Sequence, residues 1–340
     1  MEITATRVRV QEGCRPDSFP LADLLAQSQP VVLKGMVAAW SLVQAGLRSD
    51  GEAMRTLGSF YNGRTVGAYF GPPDIEGRLF YNPDVTDLNV EVRRAPLNEV
   101  LEKIHEHRQD EAPPTFYIGS TTIDACLPGL RKENDVAFAP HGFDPLASIW
   151  IGNRTRVSCH QDAPTNLACC VVGRRRFTVF PPEQIANLYP GPLDPTPGGQ
   201  AISMVDFAHP DFEKYPRFRH ALAAAQVAEM EPGDALFLPS MWWHQVDSLS
   251  PFNVLINYWW STSPRFMGTP MNVLHHALLS LRDRPEAEKR AWQAVFDYYV
   301  FGPATRAAEH LPEHARGALG PMDDITARQI RAMLLNNLNR

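Results

Sequence analysis

The chain has 340 residues, 44% of them hydrophobic and 21% charged, which is the composition of a globular protein with a substantial core. A formal net charge of −6, no basic stripe beyond Arg174, Arg175 and Arg176, and no run of about 18 apolar residues argue against nucleic-acid and membrane partners. The five cysteines (Cys14, Cys126, Cys159, Cys169, Cys170) form no CxxC pair and are odd in number, which argues against a zinc ribbon or disulfide framework and fits a reducing, cytoplasmic compartment.

In chain order, residues 1–145 read as a mixture of short helices and strands. Apolar residues at helical spacing predict helices over 19–27 and 96–108, and apolar runs predict buried strands over 31–37 and 115–119. From about residue 146 the pattern becomes a train of short strands: 148–152, 156–159, 166–172, 177–180, 226–230, 235–238 and 253–260. Gly173, Pro181-Pro182, Glu231-Pro232-Gly233-Asp234 and Pro239 supply the turns and stops between them. Such punctuation predicts a sandwich or barrel of the jelly-roll kind. After Pro264, Trp292, Val295, Phe296, Tyr299 and Val300 fall on one helical face, and Ile325, Ile330, Met333, Leu334 and Leu338 suggest a last helix. The expected organisation is one domain over 1–264, with N-terminal α/β elements over 1–114 and a core jelly roll over about 115–264. A helical segment over 265–340 follows. Its apolar faces predict burial in a second copy, a homodimer formed through the C-terminal helices.

Two His-x-Asp tripeptides occur. His209-Pro210-Asp211 lies in a stretch with Pro210 and Pro216 and no strand pattern, so it reads as a loop with a solvated histidine. His160-Gln161-Asp162 ends a predicted strand, and residues two apart on a strand share a face, so imidazole and carboxylate can converge on one ion. His244, after the Pro-Gly-Asp turn and the segment Leu238 to Trp243, is the candidate third ligand. Two imidazoles and one carboxylate hold one face of an iron(II) ion and leave the opposite positions open for oxygen activation. A histidine within Trp242-Trp243-His244 also suits a packed, hydrogen-bonded core position, so the triad depends on the motifs around it.

Those motifs run in fixed order from Ile149 to Trp260: His160-Gln161-Asp162 with Asn166, Gly173 to Phe177, Phe180-Pro181-Pro182-Glu183-Gln184, Asn187-Leu188-Tyr189-Pro190, Val205-Asp206-Phe207, Pro232-Gly233-Asp234, Pro239 with Trp242-Trp243-His244, and Asn257-Tyr258-Trp259. In them the chain resembles the JmjC/cupin-like oxygenases, especially asparaginyl hydroxylases of the factor-inhibiting-HIF type and their bacterial cupin-like relatives. A weaker likeness reaches upstream to Pro30-Val31-Val32-Leu33-Lys34-Gly35 and Phe116-Tyr117-Ile118. The resemblance implies an α+β, mainly β, double-stranded β-helix with iron(II) on His160, Asp162 and His244. It also implies 2-oxoglutarate and dioxygen as cosubstrates, decarboxylation of the keto acid to succinate, and hydroxylation of a side chain in a protein or peptide. A small metabolite or free amino acid is the other substrate class.

The resemblance places the far carboxylate of 2-oxoglutarate on Arg175, and strand parity agrees. Arg175 shares the apolar, inward face with Phe177 and Val179, and a charge there needs an anionic partner; the alternative is an internal Asp or Glu. Tyr117, Asn166, Asn257 and Trp259 match cosubstrate-pocket positions, although core packing or backbone bonding also accounts for Tyr117, Trp259 and Asn257. Trp242 and Trp243 are expected on the substrate side, together with loops 69–81 and 193–208. Val157 stands where the asparaginyl hydroxylases place a threonine contact to the cosubstrate, with Tyr117 or Ser158 available to compensate. Gln161-Asp162 departs from the His-x-His of isomerase-type cupins, and a non-catalytic binding module of this kind would have lost a ligand. A hydrolytic zinc site of the kind built on helices or clustered loops fits poorly.

Overall fold

The computed structural model describes residues 5–339. Two compact units divide the chain, Met1–Ser261 and Thr262–Arg340. The first unit opens with β1 (Thr6–Arg7) and β2 (Arg9–Gln11), passes through helix Leu21–Gln27 into β3 (Val31–Leu33), and then through helices Ser41–Arg48 and Asp50–Phe60 to β4 (Val66–Gly71), β5 (Arg78–Leu79) and β6 (Glu91–Ala95). Helix Leu97–Glu106 and β7 (Thr115–Thr122) lead into the jelly-roll strands β8 (Leu146–Gly152), β9 (Arg156–Gln161), β10 (Thr165–Val172) and β11 (Arg175–Phe180). After a long excursion come β12 (Gln226–Met230), β13 (Ala235–Leu238), β14 (Trp243–Ser248) and β15 (Asn253–Trp260).

Successive strands from β8 onward step between two sheets, except for the neighbouring pair β11 and β12. The nine-stranded sheet has the order β2-β3-β13-β10-β15-β8-β7-β4-β6, and the six-stranded sheet β1-β12-β11-β14-β9-β5. The fold is therefore α+β, a double-stranded β-helix with flanking elements.

Between the sheets, Ala168, Cys170, Phe177, Val179, Met230, Leu236 and Leu238 form the inner core. The far face of the large sheet is covered by the N-terminal helices: Leu24, Leu42, Leu57, Val100 and Ile104 pack with Leu167, Cys169, Val171 and Tyr258. Buried on both faces, β10 reads as an unbroken apolar run instead of an alternating one. Helix Leu97–Glu106 buries Leu97, Val100, Leu101 and Ile104, one stripe at helical spacing.

Two turns hold the barrel's corners. Gly173 has φ +73°, and a Cβ there would lie 2.5 Å from both Asn253 Oδ1 and the Phe252 carbonyl, so only glycine fits between β10 and β11. In the Pro232-Gly233-Asp234 turn, the buried Asp234 carboxylate accepts from Gly35 N (2.9 Å), Glu231 N (2.9 Å) and Lys34 Nζ (2.8 Å). That clasp ends the strand expected over 31–37 at Leu33: the next residues turn to meet Asp234. The strand β14 and the two helices between Ser41 and Phe60 were not expected from the sequence pattern.

The second unit contains helices Pro270–Ser280, Glu286–Phe296 and Asp324–Leu338. Among its described residues only Ala307, Ala308 and Ala327 are buried hydrophobics, while Trp292, Val295, Tyr299, Val300, Ile325, Met333, Leu334 and Leu338 are exposed. No helix of the described residues is long and apolar enough to cross a membrane.

Candidate metal centre

His160 on β9 and His244 on β14 face each other directly across an antiparallel pair, with ring centroids 4.3 Å apart. The register shifts between His244 and Val246, so that β9 spends one extra residue there. This bulge lets Val157 and His160, three residues apart, line the same cleft. Asp162 lies just beyond β9, its backbone carbonyl accepting from Met241 N at 2.8 Å. One ligand atom from each of His160, Asp162 and His244 falls within 4.8 Å of the others, the group of this kind found among the described residues.

Both imidazoles are oriented from behind. His160 Nδ1 is 2.9 Å from the Ser158 carbonyl and His244 Nδ1 3.0 Å from the Trp242 carbonyl. A carbonyl only accepts, so each Nδ1 carries a proton and each Nε2 is the nitrogen turned toward Asp162. Burial, reinforced by the neighbouring His160, lowers the His244 pKa to about 4, which keeps this imidazole neutral around neutral pH. The set is two imidazole nitrogens and one carboxylate beside an open cleft, a donor set that fits iron(II).

The residues expected to bind the cosubstrate divide into two groups. Tyr117 and Trp259 line the cleft beside His160 and Asp162, together with Trp150, which was not expected there. Burial pushes the Tyr117 phenol well above its usual value, so it is a neutral O–H donor. Asn166 and Asn257 instead bond each other (Asn257 Nδ2 to Asn166 Oδ1, 3.2 Å), and Asn257 Oδ1 accepts from Trp150 Nε1 at 2.8 Å. They brace the aromatic wall of the cleft.

Arg175 is 1% exposed, and Nη1 donates to Ser248 Oγ at 3.0 Å. Its Nε and Nη2 are buried with no hydrogen-bond partner. Among the described residues no carboxylate pairs with it, so the internal Asp or Glu considered above is not there. Two unmatched donors on a desolvated cation fit a bound carboxylate. Trp259 Nε1 is a further buried donor without a partner.

Several expectations need correction. Trp242 packs in the inner core and Trp243 in a cluster with Cys159, Phe180 and Leu188, and neither lines the cleft. Trp243, the first residue of β14, and Trp242 just before it both bury their indoles in packing. Ser158 does not compensate for Val157, because its hydroxyl donates to the Leu79 carbonyl at 2.8 Å. His209 is exposed and stands apart from the triad, as its prolines foretold. Sequence reasoning missed Gln200, whose Nε2 donates to Asp162 Oδ1 at 2.9 Å. It also missed the apolar rim of Leu79, Phe80, Leu88, Val90 and Ile202. Only the assignment of loops 69–81 and 193–208 to the substrate side pointed that way.

Comparison with known proteins agrees with this geometry. A family model described as a cupin-like domain matches residues 16–266. The chain is 37% identical over 123 residues to lysine-specific demethylase JMJ31 of Arabidopsis thaliana, covering 35% of this chain and 22% of that protein. It is 36% identical over 131 residues to human HSPB1-associated protein 1 (Homo sapiens), 37% of this chain and 26% of the relative. Against lysine-specific demethylase 8 of Xenopus tropicalis it is 25% identical over 249 residues, 70% of this chain and 49% of the relative. The chain thus spans half or less of the length of these relatives. A family match over well more than half its length, on a double-stranded β-helix that gathers two histidines and an aspartate, means that this chain belongs to the JmjC-type cupin-like family, whose members are typically iron(II)- and 2-oxoglutarate-dependent oxygenases or demethylases.

Proposed function

We propose that the protein is an iron(II)- and 2-oxoglutarate-dependent dioxygenase that hydroxylates a side chain of a protein or peptide substrate. One observation carries the reading: a two-histidine, one-carboxylate cluster shares a barrel with a buried arginine that has two unmatched donors. His160 and His244 would hold the iron through Nε2, and Asp162 through its carboxylate. Arg175 would grip the far carboxylate of 2-oxoglutarate, with the Tyr117 hydroxyl and Trp259 Nε1 as further donors. Iron(II), 2-oxoglutarate and dioxygen together supply the oxidising chemistry that converts a C–H bond into C–OH while the keto acid becomes succinate and carbon dioxide. The chain's own work is to orient and to exclude water. Leu79, Leu88, Val90, Trp150, Val157 and Ile202 give the cleft apolar walls, and Asn166 and Asn257 lock the Trp150 wall in place.

Anaerobic reconstitution with iron(II) and 2-oxoglutarate tests the proposal through the metal-to-ligand charge-transfer band. The band should form with the natural chain and vanish in Asp162→Ala and His244→Ala. A natural chain that shows no band, or variants that keep it, would refute the assignment. Slow succinate formation without prime substrate should accompany the band. Capture by an inactive variant then separates a protein substrate from a small metabolite.

The five cysteines are all free and buried, which supports a cytoplasmic location. The exposed apolar residues of Thr262–Arg340 support a homodimer formed through the C-terminal helices. Light scattering at micromolar concentration should give twice the chain mass; a monomeric mass would refute it.

A further inference from the structure

We infer that Gln200 is a positioning residue for the metal-binding carboxylate. The inference rests on the reading above, that His160, Asp162 and His244 hold iron(II). Asp162 is 5% exposed, and its side chain accepts one hydrogen bond among the described residues, from Gln200 Nε2 to Oδ1 at 2.9 Å. An ionised carboxylate only accepts, so the NH₂ end of the amide must face it. The other oxygen, Oδ2, lies 3.6 Å from His244 Nε2 and is left without a donor.

The loop that delivers Gln200 is pinned to the metal strand itself. Ser203 N donates to the carbonyl of Cys159, the residue before His160, at 2.7 Å, and Ser203 Oγ donates to Leu188 O at 2.5 Å. Gly191 N to Ile202 O (2.8 Å) and Met204 N to Tyr189 O (2.9 Å) close the loop's base. Further out, Tyr81 Oη donates to Pro195 O at 3.1 Å and Gly199 N to Thr196 Oγ1 at 2.9 Å. Gln200 therefore stands three residues from a double anchor, and its amide is held against Asp162.

The coordination chemistry gives this contact a purpose. An octahedral ion held by two imidazoles and one carboxylate oxygen keeps three positions open, enough for a bidentate keto acid and dioxygen together. A chelating carboxylate would use one of the three. By engaging Oδ1, Gln200 would leave Oδ2 as the oxygen free to hold a metal and so would favour binding through one oxygen of Asp162. Gln200 lines the same cleft, and its side chain is spent on Asp162, through which it acts.

Two variants of the full chain test this. Gln200→Leu removes the donor; Gln200→Glu keeps the shape but sets a second carboxylate against Asp162. Apo protein is titrated with Co(II), and the visible Co(II) spectrum reports coordination number. Both variants should bind Co(II) about 10–100-fold more weakly, Gln200→Glu at least as weakly as Gln200→Leu, with an altered band intensity and an apo melting curve like that of the natural chain. Metal affinity and spectrum unchanged in both variants would overturn the inference. So would a loss of affinity matched by an equal loss of apo stability in both, which marks a purely structural loop. A natural chain that takes up no Co(II) would instead bring down the metal centre itself, and this inference with it.

Discussion

Replacing Arg175 with Met should move ligand binding and apo stability in opposite directions. In the apo protein the guanidinium is 1% exposed and is bonded once, to Ser248 Oγ, while Nε and Nη2 have no partner. A buried cation so poorly matched costs the fold several kcal/mol, part of which a Met of similar length, set beside Phe177 and Val179, would recover. If about 1 kcal/mol is recovered, the apo melting temperature rises by about 2–4 °C. The cosubstrate loses two charge-assisted hydrogen bonds of about 1.5–3 kcal/mol each. That corresponds to at least about a hundredfold weaker 2-oxoglutarate binding. Anaerobic titration of the charge-transfer band gives the affinity, and calorimetry of the apo proteins gives the melting temperatures. An affinity within about threefold of the natural chain would refute the carboxylate assignment. An apo melting temperature several degrees lower would show that Arg175 holds the fold through a partner, and the reasoning from unmatched donors would fail.

Three further changes have defined outcomes. Gly173→Ala sets a Cβ 2.5 Å from Asn253 Oδ1 and the Phe252 carbonyl at φ +73°, and should lower the stability of the first unit by about 1–3 kcal/mol or more in a urea melt. Asp234→Ala unpairs Lys34 and strips acceptors from Gly35 N and Glu231 N. It should cost about 2–4 kcal/mol in the same melt, from the two backbone donors left without an acceptor, while leaving the metal affinity of the surviving folded protein unchanged. Replacing Met333 and Leu334, both exposed on the last helix, with Glu should abolish the proposed dimer and give a monomeric mass by light scattering, with the charge-transfer band retained.

What could be read from the sequence follows from how each element is buried. On β11 Arg175, Phe177 and Val179 alternate with the exposed Arg176 and with the charged Arg174 just before the strand, so their shared parity was visible without a structure, although Thr178 and Phe180 are buried as well. β10, buried on both faces, announced itself as an apolar run. By contrast, β14 is buried on both faces yet carries His244, Gln245 and Asp247, so neither an apolar run nor an alternation marks it. The same ambiguity made Trp242 and Trp243 look like substrate residues. The helices Ser41–Arg48 and Asp50–Phe60 hide behind Gly46, Gly51 and Gly58, residues that weaken a helical reading. Gly46 is there for packing: a Cβ would lie 2.8 Å from Val172 Cγ2 on β10. Gln200 had no periodic signal at all, because its role depends on a loop returning to the metal strand through Ser203.

The buried charges give a reason why the proposed metal and cosubstrate positions belong to one site. Only three charged side chains other than histidine are buried among the described residues: Asp162, Arg175 and Asp234. Asp234 has Lys34. Asp162 and Arg175 share the barrel, yet no ion pair joins them, and the ionisable side chains beside Asp162 are the imidazoles of His160 at 4.0 Å and His244 at 3.6 Å. An unpaired anion and an unpaired cation in one apolar interior would gain by meeting, and the fold keeps them apart. Ser248 holds Arg175 from one side, and Gln200 holds Asp162 from the other. Each is therefore prepared for a partner of opposite sign from outside the chain: a cation between Asp162 and the imidazoles, an anion on Arg175. A dianion that reaches both the bound cation and Arg175 balances the interior in a single binding event, which is the electrostatic reason for a dicarboxylate with a metal-chelating end.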